Sequence, residues 1–459
     1  MKIKLPDTIV LLLIILVFSC VLTWIVPSGE FDRIERDGRE LVVSGSYHVV
    51  SPNPVGFFQL IMAPIRGFSG SAEIIAFIFF VAGAFGIINR SGAISAGLRR
   101  LVDGYNTNRK KRWIIPVLTL FFSMAGATFG MSEEVLVFIL LTLPLSFSLG
   151  YDSFMGVAIP FLGAGAGFAG AFINPFTVGI AQGIAELAPF SGWEYRVIVW
   201  FIFTSVTIAF LMRYAARLEK DPKISLNYQE DQKSKHRHIE TDQEEFNGAH
   251  RWVLITLALG LAFLIVGVNR WDWYITEISA LFLVMGMISA LIARVDMQEA
   301  IDAFMAGAAE MIKVCFVIGI ARGIIIVASE GTIIDTMLYY TSTAVEGYPN
   351  TLSIQLMFYV QTFLNFFLPS GSGQAALTMP IMAPLSDIIG VSRQTAVLAF
   401  QLGDGLSNMV IPTSGVTMGV LTLSNISYKK WLQWIWPLML IYFVLAMILL
   451  IPPTLVFNW

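Results

Sequence analysis

The sequence predicts an all-α, polytopic membrane protein with inverted repeats, two re-entrant helical hairpins and two broken transmembrane helices. Three observations predict it. Of the 459 residues, 56% are hydrophobic and only 13% charged, with a mean hydropathy of +0.72. Apolar runs of about 18 or more residues recur along the chain, the length that spans a bilayer as helix. Two further apolar regions are interrupted by small and polar residues, and they resemble each other in order and spacing. The formal net charge of -3 is uninformative, because the distribution of charge sets topology in such a chain.

The elements follow in order. Lys2 and Lys4 precede a first span, Thr8 to Val26, which is long, lacks a small-residue cleavage site and reads as retained. Ser28 to Asn53 is polar, and Leu41 to Val50 carries β-type residues around a glycine, predicting an external hairpin. Pro54 to Phe68 reads as an amphipathic interfacial piece, and Ala72 to Ile88 as a second span. Arg90, Arg99, Arg100 and the run Arg109, Lys110, Lys111, Arg112 mark a cytoplasmic connection, as do the segment Arg213 to Arg251 and the pair Lys429 and Lys430. Further spans are expected at Tyr195–Met212, Trp252–Val268, Tyr274–Ala293, Met311–Ala328 and Leu432–Ile451, with Met297 to Ala309 an amphipathic cytoplasmic helix. The N-terminus then lies in the cytoplasm and Trp459 outside, in a bacterial inner membrane.

This divides the chain into six parts. Residues 1–112 carry the first spans, the external loop and the basic loop; 113–187 the first hairpin and broken helix; 188–251 a span and cytoplasmic linker. Residues 252–351 hold further spans and the amphipathic helix, 352–426 the second hairpin and broken helix, and 427–459 the last span. Cys20 and Cys315 both fall in apolar segments and read as packed thiols. Of the histidines, His236, His238 and His250 lie in or beside the polar linker and read as solvated rather than metal-binding.

The repeat is the most informative feature. At an offset of about 240 residues, Pro144-Leu145-Ser146 matches Pro384-Leu385-Ser386, Gly150 matches Gly390, and Gly163 and Gly165 match Gly403 and Gly405. After a short gap, Asn174-Pro175-Phe176-Thr177 lies opposite Ile411-Pro412-Thr413-Ser414. Upstream, Gly130 to Glu134 lies opposite Ser370 to Gln374. Glycine, proline and serine can simply permit close packing and kinks. Two such breaks in one order and spacing point instead to a built site. The basic residues put Arg112 inside and the span count puts Asn350 outside, so the two hairpins enter from opposite faces.

Unwound backbone at membrane depth is tolerated only where protein buries it or water reaches it. Its carbonyls coordinate cations, and half-helix N-termini attract anionic groups. Ser132, Asn174, Ser370, Ser372, Gln374, Asn408, Thr413 and Ser414 supply neutral donors and acceptors, with Pro175, Thr177, Gly371, Gly373 and Pro412 shaping the tips and breaks. Glu133 and Glu134 occupy the first tip and Asp404 approaches the second break. Intramembrane acids are costly and mark function, although they can also serve helix N-termini. No Lys or Arg occupies either tip or break, so the site suits an ammonium or guanidinium, or a coupling Na⁺ or H⁺. Candidate Na⁺ ligands are Asn174, Asn408, Ser132 and Ser372. Arg322, flanked by Gly319 and Gly323, and Asn365 form a second tier; Arg322 could pair with Asp404 or with a substrate carboxylate.

The same segments resemble the YfcC family: Phe129 to Glu134, Asn174-Pro175-Phe176 with Ala181 to Ala185, Ser370 to Pro380, Phe400 to Gly405, and Pro412-Thr413-Ser414. That family is grouped with DcuC-type C4-dicarboxylate carriers in the ion-transporter superfamily, and its members are described as basic amino-acid (arginine/ornithine-like) antiporters. The resemblance implies an elevator-type fold, in which hairpins and broken helices move against a scaffold, and a homodimer. Ser132 departs from it, standing where a glycine is expected between the methionine and the paired acids.

The expected function is therefore secondary transport of a small, cationic amino acid by alternating access, with no cofactor beyond a coupling Na⁺ or H⁺ and no nucleic-acid partner. The alternatives are a Na⁺-coupled carrier of a C4-dicarboxylate or short-chain carboxylate and, from another class, a channel. An enzyme is disfavoured by the lack of HExxH, GxSxG and any histidine within a span, and an ATP-driven pump by the lack of GK[ST].

Overall fold

The computed structural model describes residues 8–36, 39–43, 45–94, 96–97, 100, 112–239, 246–271, 273, 275–343, 345, 348–455 and 459. Lys2, Lys4, Arg99, Arg109, Lys110 and Lys111 lie outside these. Helices dominate. Five segments are long and apolar enough to cross a membrane among the described residues: Ala72–Arg90, Trp193–Leu218, Ile275–Ala293, Met297–Glu330 and Tyr428–Leu455.

The first half opens with α1 (Thr8–Ile25), apolar throughout and ended by Pro27, which cannot continue a helix. Short strands follow: β1 (Gly29–Glu30) pairs with β4 (His48–Val49), and β2 (Arg33–Arg36) with β3 (Arg39–Val42), both antiparallel. The hairpin expected within Leu41 to Val50 is thus replaced by two separate pairings, because Arg33 to Arg36 themselves pair as a strand with Arg39 to Val42. Asp335 of the second half ties this cap down, accepting from the Phe31 N–H at 3.0 Å and from the Arg33 guanidinium at 2.8 Å.

The repeat extends beyond the hairpins. α2 (Phe57–Gly70) and α3 (Ala72–Arg90) are parted by Ser71. In the second half, beginning 240 residues after each, α12 (Met297–Glu310) and α13 (Ile312–Glu330) are parted by Met311. The short helix of each half packs on the long helix of the other, α2 on α13 and α12 on α3. Glycines make both crossings possible: a Cβ on Gly67 would stand 2.6 Å from the Gly323 nitrogen, and one on Gly307 would stand 3.2 Å from the Gly86 Cα. Met297 to Ala309 is therefore no free-standing cytoplasmic helix, since its small face is spent on the middle of α3.

The hairpins share one plan. The arms α4 (Ile114–Phe129) and α5 (Val135–Ser148) both pack on α6 (Ser153–Ala169), and the arms α15 (Asn350–Phe367) and α16 (Gly371–Ile388) both pack on α17 (Arg393–Ser407). Each second arm ends in a left-handed glycine, Gly150 at φ +88° and Gly390 at φ +68°. The next helix is then capped by a side chain: Asp152 accepts from the Met155 N–H at 2.9 Å and Ser392 from the Thr395 N–H at 3.2 Å. α6 and α17 cross at reciprocal points, Gly165 against Met409 and Gly405 against Ala169.

Both halves then unwind. α6 stops at Ala169, and helical structure resumes as a π-turn, Pro175–Gly179, and α7 (Ile180–Ile184). α17 stops at Ser407 and resumes as α18 (Gly415–Leu423). Asn174 and Ser414 are the two caps, so the 240-residue register runs unbroken here, and no gap is needed to align the breaks.

The remaining elements frame this core. α8 (Trp193–Leu218) outruns its expected span at both ends, and α19 (Tyr428–Leu449) closes the second half before α20 (Pro452–Leu455). The linker includes α9 (Tyr228–Ile239), beside which Asn227 bonds Ser153 and Lys430. α10 (Gly248–Trp271), α11 (Ile275–Ala293) and α14 (Ile334–Thr343) complete the second half. His250 is 2% exposed and packs by Phe246, so it is buried and not solvated. Cys20 and Cys315 are buried free thiols.

Candidate functional site

Where the two tips and the two breaks meet there is a cavity of about 320 Å³. The first tip forms because Gly130 takes φ +71° and reverses the chain after α4. A side chain there would run into the Asn174 amide, at 2.7 Å, so the tip sits directly on the first break. Within it the Ser132 N–H donates to the Glu134 carboxylate at 3.0 Å. Glu134 is 9% exposed and Glu133 half-buried; both line the cavity.

The second tip is neutral. Ser370 caps α16 by accepting from the Gly373 N–H at 3.3 Å, leaving the first turn of the helix facing the cavity. Ser370, Gly371 and Ser372 line it, as do Thr177 of the first break and Asn408, Thr413 and Ser414 of the second. Two helix N-termini, those of α16 and α18, thus point N–H groups and partial positive charge at the space.

Six candidates and Asn365 stand behind this lining. Asn174 spends its side-chain oxygen on the Phe176 N–H at 2.9 Å. Pro175 starts the π-turn, and Pro412 lies between α17 and α18. Gly373 donates to Ser370, and Gln374 bonds the Gln361 carbonyl at 2.9 Å and so fastens the arms of the second hairpin together. Asn365 donates to the Asp404 carbonyl at 3.1 Å and to Ser407 at 2.7 Å. Asp404 is fully buried; one oxygen accepts from Asn408 at 2.8 Å.

Its other oxygen has no partner among the described residues, and neither has Asn174 Nδ2, Thr177 Oγ1 or Thr413 Oγ1. Buried polar atoms are ordinarily bonded, so a cluster of orphans at a cavity wall is costly unless a guest completes it. Of the Na⁺ ligands expected from the sequence, Ser132, Ser372 and Asn408 line the cavity, and the Asn174 oxygen behind it already accepts as a cap. Two of the unpartnered oxygens belong to Asp404 and Thr177, which both crowd Gly371, where a Cβ would stand 3.0 Å from Asp404 Oδ2 and 2.5 Å from Thr177 Cγ2.

Arg322 also lines the cavity, from α13, and it is not paired with Asp404. Sequence reasoning missed the apolar wall altogether: Phe161, Phe168, Phe176, Ile318, Ile325 and Trp273. Nothing in their local sequence separates them from lipid-facing or core residues. Ser71 at the α2–α3 break was legible as a helix interruption in Ser69-Gly70-Ser71, but not as a cavity residue.

A cavity whose polar groups come from helix breaks, inside an apolar, many-helix body, is the architecture of a membrane transporter. The chain belongs to the DcuC family, whose model, described as C4-dicarboxylate anaerobic carrier, matches residues 5–454. It is 34% identical to the Escherichia coli K12 protein named "Putative basic amino acid antiporter YfcC", over 93% of this chain and 92% of that one. It is 27% identical, over 97% of this chain and 96% of that one, to an uncharacterized Haemophilus influenzae protein. Among solved structures, Neisseria gonorrhoeae MtrF, described as illuminating a class of antimetabolite efflux pumps, aligns at TM-score 0.44 and 17% identity, covering 99% of this chain and 96% of that one.

Proposed function

We propose that this transporter moves a small, cationic amino acid of the arginine or ornithine kind across the bacterial inner membrane by alternating access. The observation that carries the reading is the shared cavity, where the acidic first tip faces two helix N-termini. A cationic side chain finds Glu133 and Glu134, and an anionic end finds free N–H groups. The name of the Escherichia coli relative agrees with this cargo. The coupling ion, Na⁺ or H⁺, belongs at the buried oxygens of Asp404 and Thr177.

The reciprocal packing of α2 on α13 and α12 on α3, with the crossing of α6 and α17, supports a two-fold relation between the halves. Combined with the positive-inside rule, it reads as an inverted repeat with re-entrant hairpins. On this reading residues 113–187 and 352–426 form an elevator-type moving domain, the spans within 1–112 and 252–351 form the scaffold of a homodimer, and 188–251 and 427–459 connect them. The N-terminus is cytoplasmic and the C-terminus external.

A second reading, a Na⁺-coupled carrier of a C4-dicarboxylate, draws on the family description and on the two helix N-termini. Proteoliposomes loaded with ornithine separate the two. The proposal expects saturable uptake of labelled arginine that ornithine drives and competes, and that succinate leaves unchanged. Uptake of succinate alone would replace the cargo, and non-saturating flux without exchange would make the protein a channel.

A further inference from the structure

A cation stands in the middle of α13 with no ion-pair partner among the described residues. α13 has 19 residues, and at 1.5 Å per residue it runs about 28 Å, close to the hydrocarbon thickness of a bilayer. Arg322 is its eleventh residue. An ionised side chain at that depth is costly and is kept where it meets a partner. Some other arginines have theirs: Arg33 pairs with Asp335, Arg66 with Glu330, and Arg393 with Asp387. Arg322 makes no hydrogen bond or ion pair with any described residue, and its exposed side chain faces the cavity.

Packing does not require it. The residue 240 positions earlier, at the matching point of α3, is Ala82, which is buried at the Gly307 crossing. The pseudo-symmetric position is thus served by a methyl group. The second half replaces it with a guanidinium and leaves room beside it, where a Cβ on Gly70 would stand 4.0 Å from Arg322 Nε. The acids of the first tip wall the same cavity, on a different element.

We propose that Arg322 binds the carboxylate of the cargo, and that the site thereby selects α-amino acids over amines or guanidines lacking that group. The planar guanidinium offers parallel N–H donors that match a carboxylate as a fork, which a lysine does not reproduce. The cargo then bridges α13 at its anionic end and the first hairpin at its cationic end. This deepens the amino-acid reading above and rests on it.

The test compares arginine with agmatine, the same molecule without its carboxylate, by binding to purified protein. Wild type is expected to prefer arginine by about ten- to a hundredfold, the range of a charge-assisted hydrogen bond to an ionised group. Arg322→Ala is expected to remove that preference and leave agmatine affinity unchanged, and Arg322→Lys to restore only part of it. Thermal unfolding in detergent verifies folding, and Arg322→Gln stands in if the alanine variant is unstable. An unchanged preference for arginine in the folded variant overturns the proposal. If wild type ignores arginine and binds succinate, the amino-acid reading fails on its own. The same cycle with succinate against its diamide then judges Arg322: a lost preference sustains carboxylate binding, and a retained one ends it.

Discussion

In the second hairpin a serine caps the returning helix and the tip carries no charge. In the first, a left-handed glycine turns the chain and two glutamates occupy the tip, one of them folded back onto the Ser132 N–H. Everything around the tips is shared: the arms, the left-handed glycine after each second arm, the side-chain cap of the following helix, and the break that follows. A duplicated scaffold has therefore been kept where it packs and changed where it meets the cavity. The same contrast appears between Ala82 and Arg322. Where the halves agree the physics is packing; the acids of the first tip and Arg322, where they differ, line the cavity.

The largest expected effect falls on that difference. Glu133→Gln and Asp404→Asn should each lower arginine flux more than about a hundredfold, since each removes an interaction with charge in a low-dielectric site. The thermal midpoint should stay near that of wild type. Wild-type flux in both variants would remove the acids from the site.

The shared packing makes a smaller and symmetric prediction. Gly67→Ala and Gly307→Ala should each destabilise the protein by roughly 1–3 kcal/mol, because a Cβ at either place meets backbone that cannot retreat. Unfolding in detergent measures both. A large cost at one glycine and none at the other would break the two-fold relation of α2–α13 with α3–α12.

The smallest effect lies at the ion pair of Arg112 with Glu219. The Arg112 guanidinium beside Glu219, at 2.7 Å, holds that carboxyl below the usual carboxylate value of 4.5, and the Tyr151 hydroxyl donates to it as well. Because the folded value is depressed, this contribution is complete above 4.5 and is lost as pH falls below it. The pair is partly solvated, so the expected change is a small drop in thermal midpoint in that acidic window, absent in Glu219→Gln. A midpoint that falls equally in Glu219→Gln would assign the drop to other carboxylates.

Much of the architecture was legible. Apolar runs show as spans because lipid offers backbone groups no partners and forces them into helices. The repeat showed through Gly150 and Gly390 because only glycine takes a left-handed turn at no cost, so its position survives divergence. The matching of α2–α3 with α12–α13 was not legible. Their tight contacts involve Gly67, Gly307, Gly319 and Gly323, and glycines in apolar helices are too common to announce a partner. The strand pairing near Arg33 was misplaced because the charged residues of Arg33 to Arg36 carry no hydrophobic alternation.

The sequence by itself determined that the protein is an apolar, helical, duplicated chain with acids at one hairpin tip and breaks at matched positions. Those are local properties of hydropathy, glycine placement and charge. Only the tertiary structure decided which of those groups share a cavity. The Gln374 amide nitrogen and the Asn174 side-chain oxygen went to internal bonds, while Asn174 Nδ2, Thr177 Oγ1 and one Asp404 oxygen were left uncommitted and Arg322 lines the cavity. A side chain's partners are set by elements hundreds of residues away, and no local pattern records which of its hydrogen bonds the fold has already used.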